Sequence, residues 1–491
     1  MNVLMVYPRC PETFWSFKRA LRFVSKKAAF PPLGLLTVAA MLPKVWGKRL
    51  VDCNVRRLKD KDILWADMVF ISAMIVQKGS AQEVIDRCKA AGKIVVAGGP
   101  VFSTSHESFH GVDHFVLNEA EVTLPLFLAD LAKGEAKVIY ASDEKPDMEK
   151  VRIVPDWSLV KMRHYNSAML QASRGCPFHC EFCDIVSMYG HKMRMKSIEQ
   201  IIAELDALLE IGFRGSVFFV DDNFIGHKAK VKEMLLALIE WQEKHRYPFT
   251  FFTEASVNLA EDEQLLRLMS QANFNKVFLG IETTNVESLK ECGKTQNTKM
   301  DLAEAIRIIQ WAGMQVQAGF IVGFDNDNAH TFETLKTFIQ ETGVVTAMVG
   351  MLNALPKTKL WERLHREGRL DGEAKGDPVT DSVNFQPRMG KERLIAGYKN
   401  LLAKIYSPKE YYERLANFVK HYRPTDKKRF SRAEVKAFIF SLFRIGIFSR
   451  SNWRYISLLV RTFFTKPRVF PTVVELAIMG VHFQRLARRL A

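Results

Sequence analysis

Long apolar runs are what this sequence most plainly lacks. In 491 residues there is no stretch of 18 or more uncharged apolar residues, so no membrane-spanning helix is expected. The N-terminus, "MNVLMVYPRC", has no charged start followed by a long apolar stretch, and no secretion signal is expected either. Cysteine is scarce: seven in all do not make a secreted disulfide framework, so the expected compartment is reducing and cytoplasmic. Internal repeats and low-complexity tracts are missing. Acidic residues nearly vanish at the C-terminal end, where residues 427–491 hold 14 Lys and Arg against Glu434 and Glu475, hence +12 of the chain's +16. An anionic partner should meet that end.

What is present is a folded chain, 48% hydrophobic and 25% charged, too long for one hydrophobic core and therefore expected to form two or three domains. In residues 1–140 the runs "NVLMVYP", "RLVDCNV", "ADMVFIS", "KIVVAGGP" and "VDHFVL" read as buried strands separated by helix-like stretches such as "SAQEVIDRCKAAG". That alternation predicts an α/β, doubly wound parallel sheet, which binds ligands beyond the carboxyl ends of its strands, where Gly98 and Gly99 stand. After a polar linker over 141–164, six further strand candidates begin at Ala168, Ser216, Phe249, Lys276, Val316 and Val345, with helical patterns between them. They predict a partial (β/α)6, TIM-like barrel over 165–386, with its active face at the strand C-termini. A basic, aromatic and helix-like extension fills 387–491.

Just after the first barrel strand comes "CPFHCEFC", with Cys176, Cys180 and Cys183 and no fourth cysteine nearby. A four-iron cluster normally takes four thiolates, so three leave one iron open to a small chelating ligand. The competing reading is a structural zinc completed by His179 or His191, although zinc ligands usually come as two separated pairs. The CxxxCxxC spacing, with Phe182 before the last cysteine and a (β/α)6 barrel around it, resembles the radical S-adenosylmethionine (SAM) superfamily. That resemblance implies a 4Fe-4S cluster on the three cysteines, SAM chelated to the open iron, and a one-electron reductant such as flavodoxin or ferredoxin. It further implies that Asp221 and Asp222 of "FVDDNF" lie near the amino group of SAM, that Glu282 of "LGIETTN" makes a polar contact to it, and that Gly319 and Gly323 of "GFIVGF" let the backbone approach the adenosine.

Two kinds of accessory domain precede such barrels. Methylthiotransferases that modify tRNA or protein carry a second cluster, and Cys10, Cys53 and Cys88 invite that comparison. In register, however, this chain has Ser72–Met74 and Gly98–Gly99 where those cysteines stand, while Cys53 ends an earlier strand and Cys88 falls in a helix pattern. The segments "FPPLGLLTVAAML", "VVAGGP" and "VDHFVLNEAEVTLPLFLADLAKGE" instead resemble a cobalamin-binding domain. The resemblance implies a corrin near Ser72, Met74, Gln77, Gly98, Gly99 and Glu119. Because no Asp-x-His-x-x-Gly occurs, it also implies no histidine axial ligand.

Nearly the whole chain thus resembles cobalamin-dependent radical SAM methyltransferases, nearest to the group that includes hopanoid C-2 methylases. This implies methylation of an unactivated carbon in an apolar lipid. A methylase or cyclase acting on a tetrapyrrole pigment is the alternative, and an RNA- or protein-modifying methylthiotransferase a more distant one. Aromatics interleaved with arginines in the tail favour peripheral contact with the inner face of a membrane over binding of nucleic acid, for which no recognisable module is present.

Overall fold

The computed structural model describes residues 1–374, 376–377, 379, 382–425, 427, 432–448 and 452–490. In the N-terminal 140 residues the apolar runs are buried on both faces, which requires helices on both sides of a sheet. Along β1 (Asn2–Tyr7), Leu4 and Val6 enter one core with Val69, Ile71 and Val95, while Val3 and Met5 enter another with Met68, Phe70 and Val96. With β2 (Gly47–Asp52), β3 (Met68–Ser72), β4 (Ile94–Gly98), β5 (His114–Val116) and β6 (Ile139–Tyr140), it forms a parallel sheet in the order β2-β1-β3-β4-β5-β6. The order reverses between β1 and β3, the switch point at which such sheets hold ligands.

The second sheet is also parallel. It runs β7 (Ser167–Leu170), β10 (Gly215–Phe219), β11 (Phe249–Ala255), β12 (Phe274–Glu282), β13 (Gln315–Val322) and β14 (Thr346–Met351), the six strands expected from sequence. A short antiparallel ribbon of β8 (Ser173–Arg174) and β9 (Arg194–Met195), not foreseen from sequence, flanks the cysteine loop. Strand alternation sorts the side chains. Val217, Phe219, Phe251, Val277 and Leu279 are wholly buried against the surrounding helices, while the alternate positions Phe218, Phe252, Glu254, Phe278 and Gly280 face the inside of the curved sheet.

β7 and β14 do not pair, and both ends of the chain fill the gap between them. The backbone N–H of Ser167 donates to Ala29 O (3.0 Å), which sets the segment before residue 30 beside β7. At the other end of that segment, Phe14 packs on Tyr406 and Phe483, and Thr13 O meets His482 Nε2 at 2.9 Å. The barrel core continues without a break through helices Lys391–Ile405, Pro408–His421 and Phe470–Leu490. The last of these is therefore an integral part of the barrel and not a free tail.

Its seating can be tested at Gly480. A Cβ there would stand 2.5 Å from Cε1 of Tyr411, a buried ring whose hydroxyl donates to Leu476 O (2.6 Å) and so cannot swing aside. Gly480→Val should cost about 2 kcal/mol in urea unfolding. An unchanged midpoint would mean that the helix is not clamped against the barrel.

Candidate active site

The cysteine loop is gripped by backbone from several directions. Gly175 has φ +95°, and a Cβ there would stand 2.6 Å from Lys192 O, so only glycine fits. Its N–H donates to Asp222 Oδ2 (3.1 Å). Further on, Cys176 N–H donates to Gly190 O (3.3 Å), Glu181 N–H to Cys292 O (2.9 Å), and Leu360 N–H to Glu181 O (2.8 Å). The Glu181 carboxylate accepts from Arg363 (2.7 Å), which also pairs with Asp325 (3.0 Å). Cys176, Cys180 and Cys183 are partly buried and free of disulfides, and Phe182 packs 6.2 Å from Phe324. No three His, Cys, Asp or Glu side chains among the described residues close on a single metal ion, as mononuclear zinc would require. In a four-iron cluster each thiolate binds a different iron, and three free, partly buried cysteines on one loop fit that group. His179 and His191 instead lie against each other, with ring centroids 3.9 Å apart and the rings tilted by 38°.

Four carboxylates converge at the carboxyl ends of the barrel strands. Asp221 accepts from Ala172 N–H (3.1 Å) and from the Ser173 hydroxyl. Burial, with Asp221 close by, pushes Asp222 up to about 7. Burial pushes Asp221 itself up to about 6, against the hydrogen bonds that it accepts. Glu282 sits at a bulge in β12, with φ +63°, and its carboxylate folds back over Gly280 to pair with the buried Lys294. Burial works against the Lys294 charge, yet Glu282 and Cys180 hold its pKa above the usual lysine range. Beside this pair, Asn297 donates to Gly280 O and Ile281 O (both 3.0 Å) while its Oδ1 is buried without a partner, as is Gln296 Oε1. Buried acceptors left unpaired beside the open face of the cysteine loop fit a polar chelating ligand such as SAM.

Sequence reasoning missed Glu254. It stands on the inner face of β11, and burial together with Asp222 and Glu282 pushes it up to about 8. The available signal was a lone acid near the carboxyl end of the otherwise apolar "FTFFTEA". Below it the inner wall is aromatic: Phe218 and Phe252 stack in parallel with centroids 4.6 Å apart, Phe30 covers both, and Trp15 packs 5.0 Å from Phe278. Gly319 and Gly323 are filled by neighbours, since a Cβ at Gly319 would meet Phe278 at 3.0 Å and one at Gly323 would meet Leu394 at 2.9 Å.

The carboxyl edge of the N-terminal sheet faces this mouth. Gly99, at φ +91°, lies so close to Ser72 that a Cβ would stand 2.4 Å from its Oγ; Gly98 is equally tight against Val116 O, and Met74 is exposed. Gln77 is buried, donating to Pro8 O (2.6 Å) and accepting from Met74 N–H (2.8 Å), so it shapes the edge from behind. A low rim of small neutral residues fits a broad, flat ligand such as a corrin. Glu119 turns toward the barrel, where Arg174 and Arg194 of the β8–β9 ribbon each donate to it at 2.7 Å, and Arg174 also pairs with Glu121 (2.7 Å). Cys88 is buried inside a helix, Cys53 packs on the same core, and Cys10 N–H is tied to Asn54 Oδ1 (2.8 Å).

Two parallel sheets, a three-cysteine loop at one carboxyl edge and a glycine-rich rim at the other define a cobalamin-dependent radical SAM enzyme. Family models agree: the B12 binding domain matches residues 23–128, the Radical SAM superfamily residues 170–339, and a Domain of unknown function (DUF4070) residues 358–491. An uncharacterized methyltransferase of Synechocystis sp. is 42% identical, covering 98% of this chain and 91% of its own. The hopanoid C-2 methylase of Rhodopseudomonas palustris is 35% identical over 89% of this chain and 83% of its own. The radical S-adenosylmethionine methyltransferase TsrM of Kitasatospora setae, solved with cobalamin and a 4Fe-4S cluster, shares the fold at a TM-score of 0.66 and 14% identity, covering 99% of both chains. The chain belongs to the cobalamin-dependent radical SAM methyltransferases, whose cofactors are a 4Fe-4S cluster, SAM and cobalamin.

The raised Glu254 carries a pH signature. A carboxyl whose folded pKa exceeds its unfolded one binds its proton more tightly when folded, so its stabilising effect is full below the unfolded value and is lost as pH rises through the folded one. For Glu254 that window runs from 4.5 to about 8. In cofactor-free protein, Glu254→Gln should flatten the fall in stability across this window, measured by urea unfolding at a series of pH values. Parallel curves for the two proteins would show that Glu254 is not held in a desolvated site.

Proposed function

We propose that this enzyme methylates an unactivated carbon of an apolar, polycyclic lipid of the hopanoid type, working at the inner face of a membrane. The observation that carries the reading is the aromatic inner wall of Phe30, Phe218, Phe252, Trp15 and Phe278 beneath the polar mouth. Such a wall buries a rigid hydrocarbon without asking it for hydrogen bonds. Similarity to a hopanoid C-2 methylase over most of the chain supports the same class.

In this reading Cys176, Cys180 and Cys183 hold three irons of the cluster, and Phe182 shields it from solvent. Asp221 and Asp222 orient the amino group of SAM, while Glu282, fixed by Lys294, and the free acceptors of Asn297 and Gln296 position the remainder. The backbone at Gly319 and Gly323 shapes the adenosine side. Ser72, Met74, Gly98 and Gly99 form the floor for the corrin, with Gln77 and Glu119 bracing that floor from behind and from the side. Once bound, these cofactors supply one-electron reduction, hydrogen abstraction and a transferable methyl group. The protein's part is to bring them and one carbon of the substrate together and to keep water out. A flavodoxin- or ferredoxin-like protein would deliver the electron.

The test is anaerobic turnover on a bacterial lipid and pigment extract with methyl-labelled SAM. Label should appear in a polycyclic lipid, and Cys176→Ala/Cys180→Ala/Cys183→Ala should lose iron, SAM cleavage and labelling together. Label in a tetrapyrrole, or in no lipid at all, would overturn the lipid reading. Undiminished SAM cleavage by the triple variant would overturn the cluster assignment.

A further inference from the structure

Two helices near the C-terminus present apolar side chains to solvent as well as to the core. In Arg432–Ser441 and the π-helical turn Leu442–Ile447 that continues it, Ala437, Ser441 and Ile445 face inward and are buried. Val435, Ile439, Phe443 and Ile447 recur every four residues on the outer side and are about half exposed or more. Helix Asn452–Thr465 repeats the arrangement, with Tyr455, Leu458, Leu459 and Thr462 buried and Trp453, Ile456, Val460 and Phe463 outside. Phe448 and Phe464 are the most exposed rings, at 80% and 78%. An ordinary surface helix is polar on its outer face, so two apolar stripes side by side call for an occupant.

The charge around the stripes says what kind. Between residues 432 and 466 the sequence has seven Lys and Arg and one acid, Glu434. Lys436, Arg444, Arg454 and Arg461 have no ion-pair partner among the described residues, although Arg454 lies over the Trp453 ring at 5.7 Å. Apolar stripes bordered by unpaired basic residues match the interface of an anionic bilayer, in which rings enter the acyl boundary and guanidinium groups meet phosphates. A soluble protein partner would need acids to match these bases and an apolar face to match the stripes. The helix pair is too short to span: among the described residues no helix is long and apolar enough to cross a membrane. It would therefore lie in the plane of the interface.

We infer that helices 432–448 and 452–465 are the surface by which this enzyme docks on anionic membranes. The surface adjoins the lining of the barrel: Phe440 of the first helix packs 5.0 Å from Phe23, which belongs to the same N-terminal segment as Trp15 and Phe30. A substrate leaving the bilayer at this point would meet aromatic side chains from the outset. The inference deepens the lipid reading but is measured without turnover, so each can fail alone.

Because helix Phe470–Leu490 completes the barrel, truncation is the wrong experiment, and substitutions at the exposed rings are the right one. Full-length holoenzyme should sediment with phosphatidylcholine–phosphatidylglycerol vesicles and much less with phosphatidylcholine alone. Phe448→Glu/Phe464→Glu should weaken the anionic binding by about tenfold or more. It should leave SAM cleavage and labelling of detergent-dispersed substrate as in the wild type, which also shows that the variant folds. Equal binding by variant and wild type would overturn the inference. So would a wild-type dimer in solution that the double substitution splits, since a second copy would then be the occupant.

Discussion

The structure depends on the facing of two carboxyl edges, and a buried ionic contact holds them in place. Glu119, from the N-terminal domain, receives Arg174 and Arg194 at 2.7 Å, with its side chain only 1% exposed. Removing Glu119 would leave Arg194 without a carboxylate in a desolvated seam, a loss of about 3–5 kcal/mol. Both arginines sit on the β8–β9 ribbon, which also brackets the cysteine loop, so the contact that sets domain orientation also braces the cluster site. Methyl transfer to carbon needs both cofactors to reach one substrate atom, and domains joined by a loose linker could not maintain that approach.

The partial barrel imposes a second constraint. Six strands leave an open side, and the chain closes it with its own ends, Thr13–Ala29 from one terminus and helix Phe470–Leu490 from the other. This leaves the mouth polar and the inside aromatic. Acids and amides surround the cysteine loop, and stacked phenylalanines stand beneath them. Where Lys294 meets Glu282, a buried carboxylate has a buried ammonium for a partner, whereas Glu254, without a cation beside it, is pushed up to about 8. The same strand ends thus carry one ion-paired carboxylate and, in Glu254, Asp222 and Asp221, acids that burial pushes toward the protonated form.

The parts of this architecture written as local periodicity were legible in the sequence. Each apolar run became a strand of the expected sheet, and the cysteine spacing marked its loop without help from tertiary structure. Contacts between distant segments were not legible. Nothing near Glu119 foretells its pairing with residues 55 and 75 positions away. Glu254 belongs to no motif. β6 and the β8–β9 ribbon are two residues per strand, too short for a period to show. The basic, aromatic C-terminal region read as one uniform extension, yet among the described residues it divides into three helices packed into the barrel core and two that also face solvent, because alternation on a helix does not reveal which face meets its neighbour.

The central claim is that one cluster and one corrinoid face each other across a single space. Anaerobic EPR of full-length protein carrying cob(II)alamin and the reduced cluster tests it directly. The account predicts that each signal is broadened or split by the other, and that the cobalt signal returns to its isolated shape when Cys176, Cys180 and Cys183 are replaced by alanine. Two unperturbed, additive signals from the fully loaded wild-type protein would contradict it.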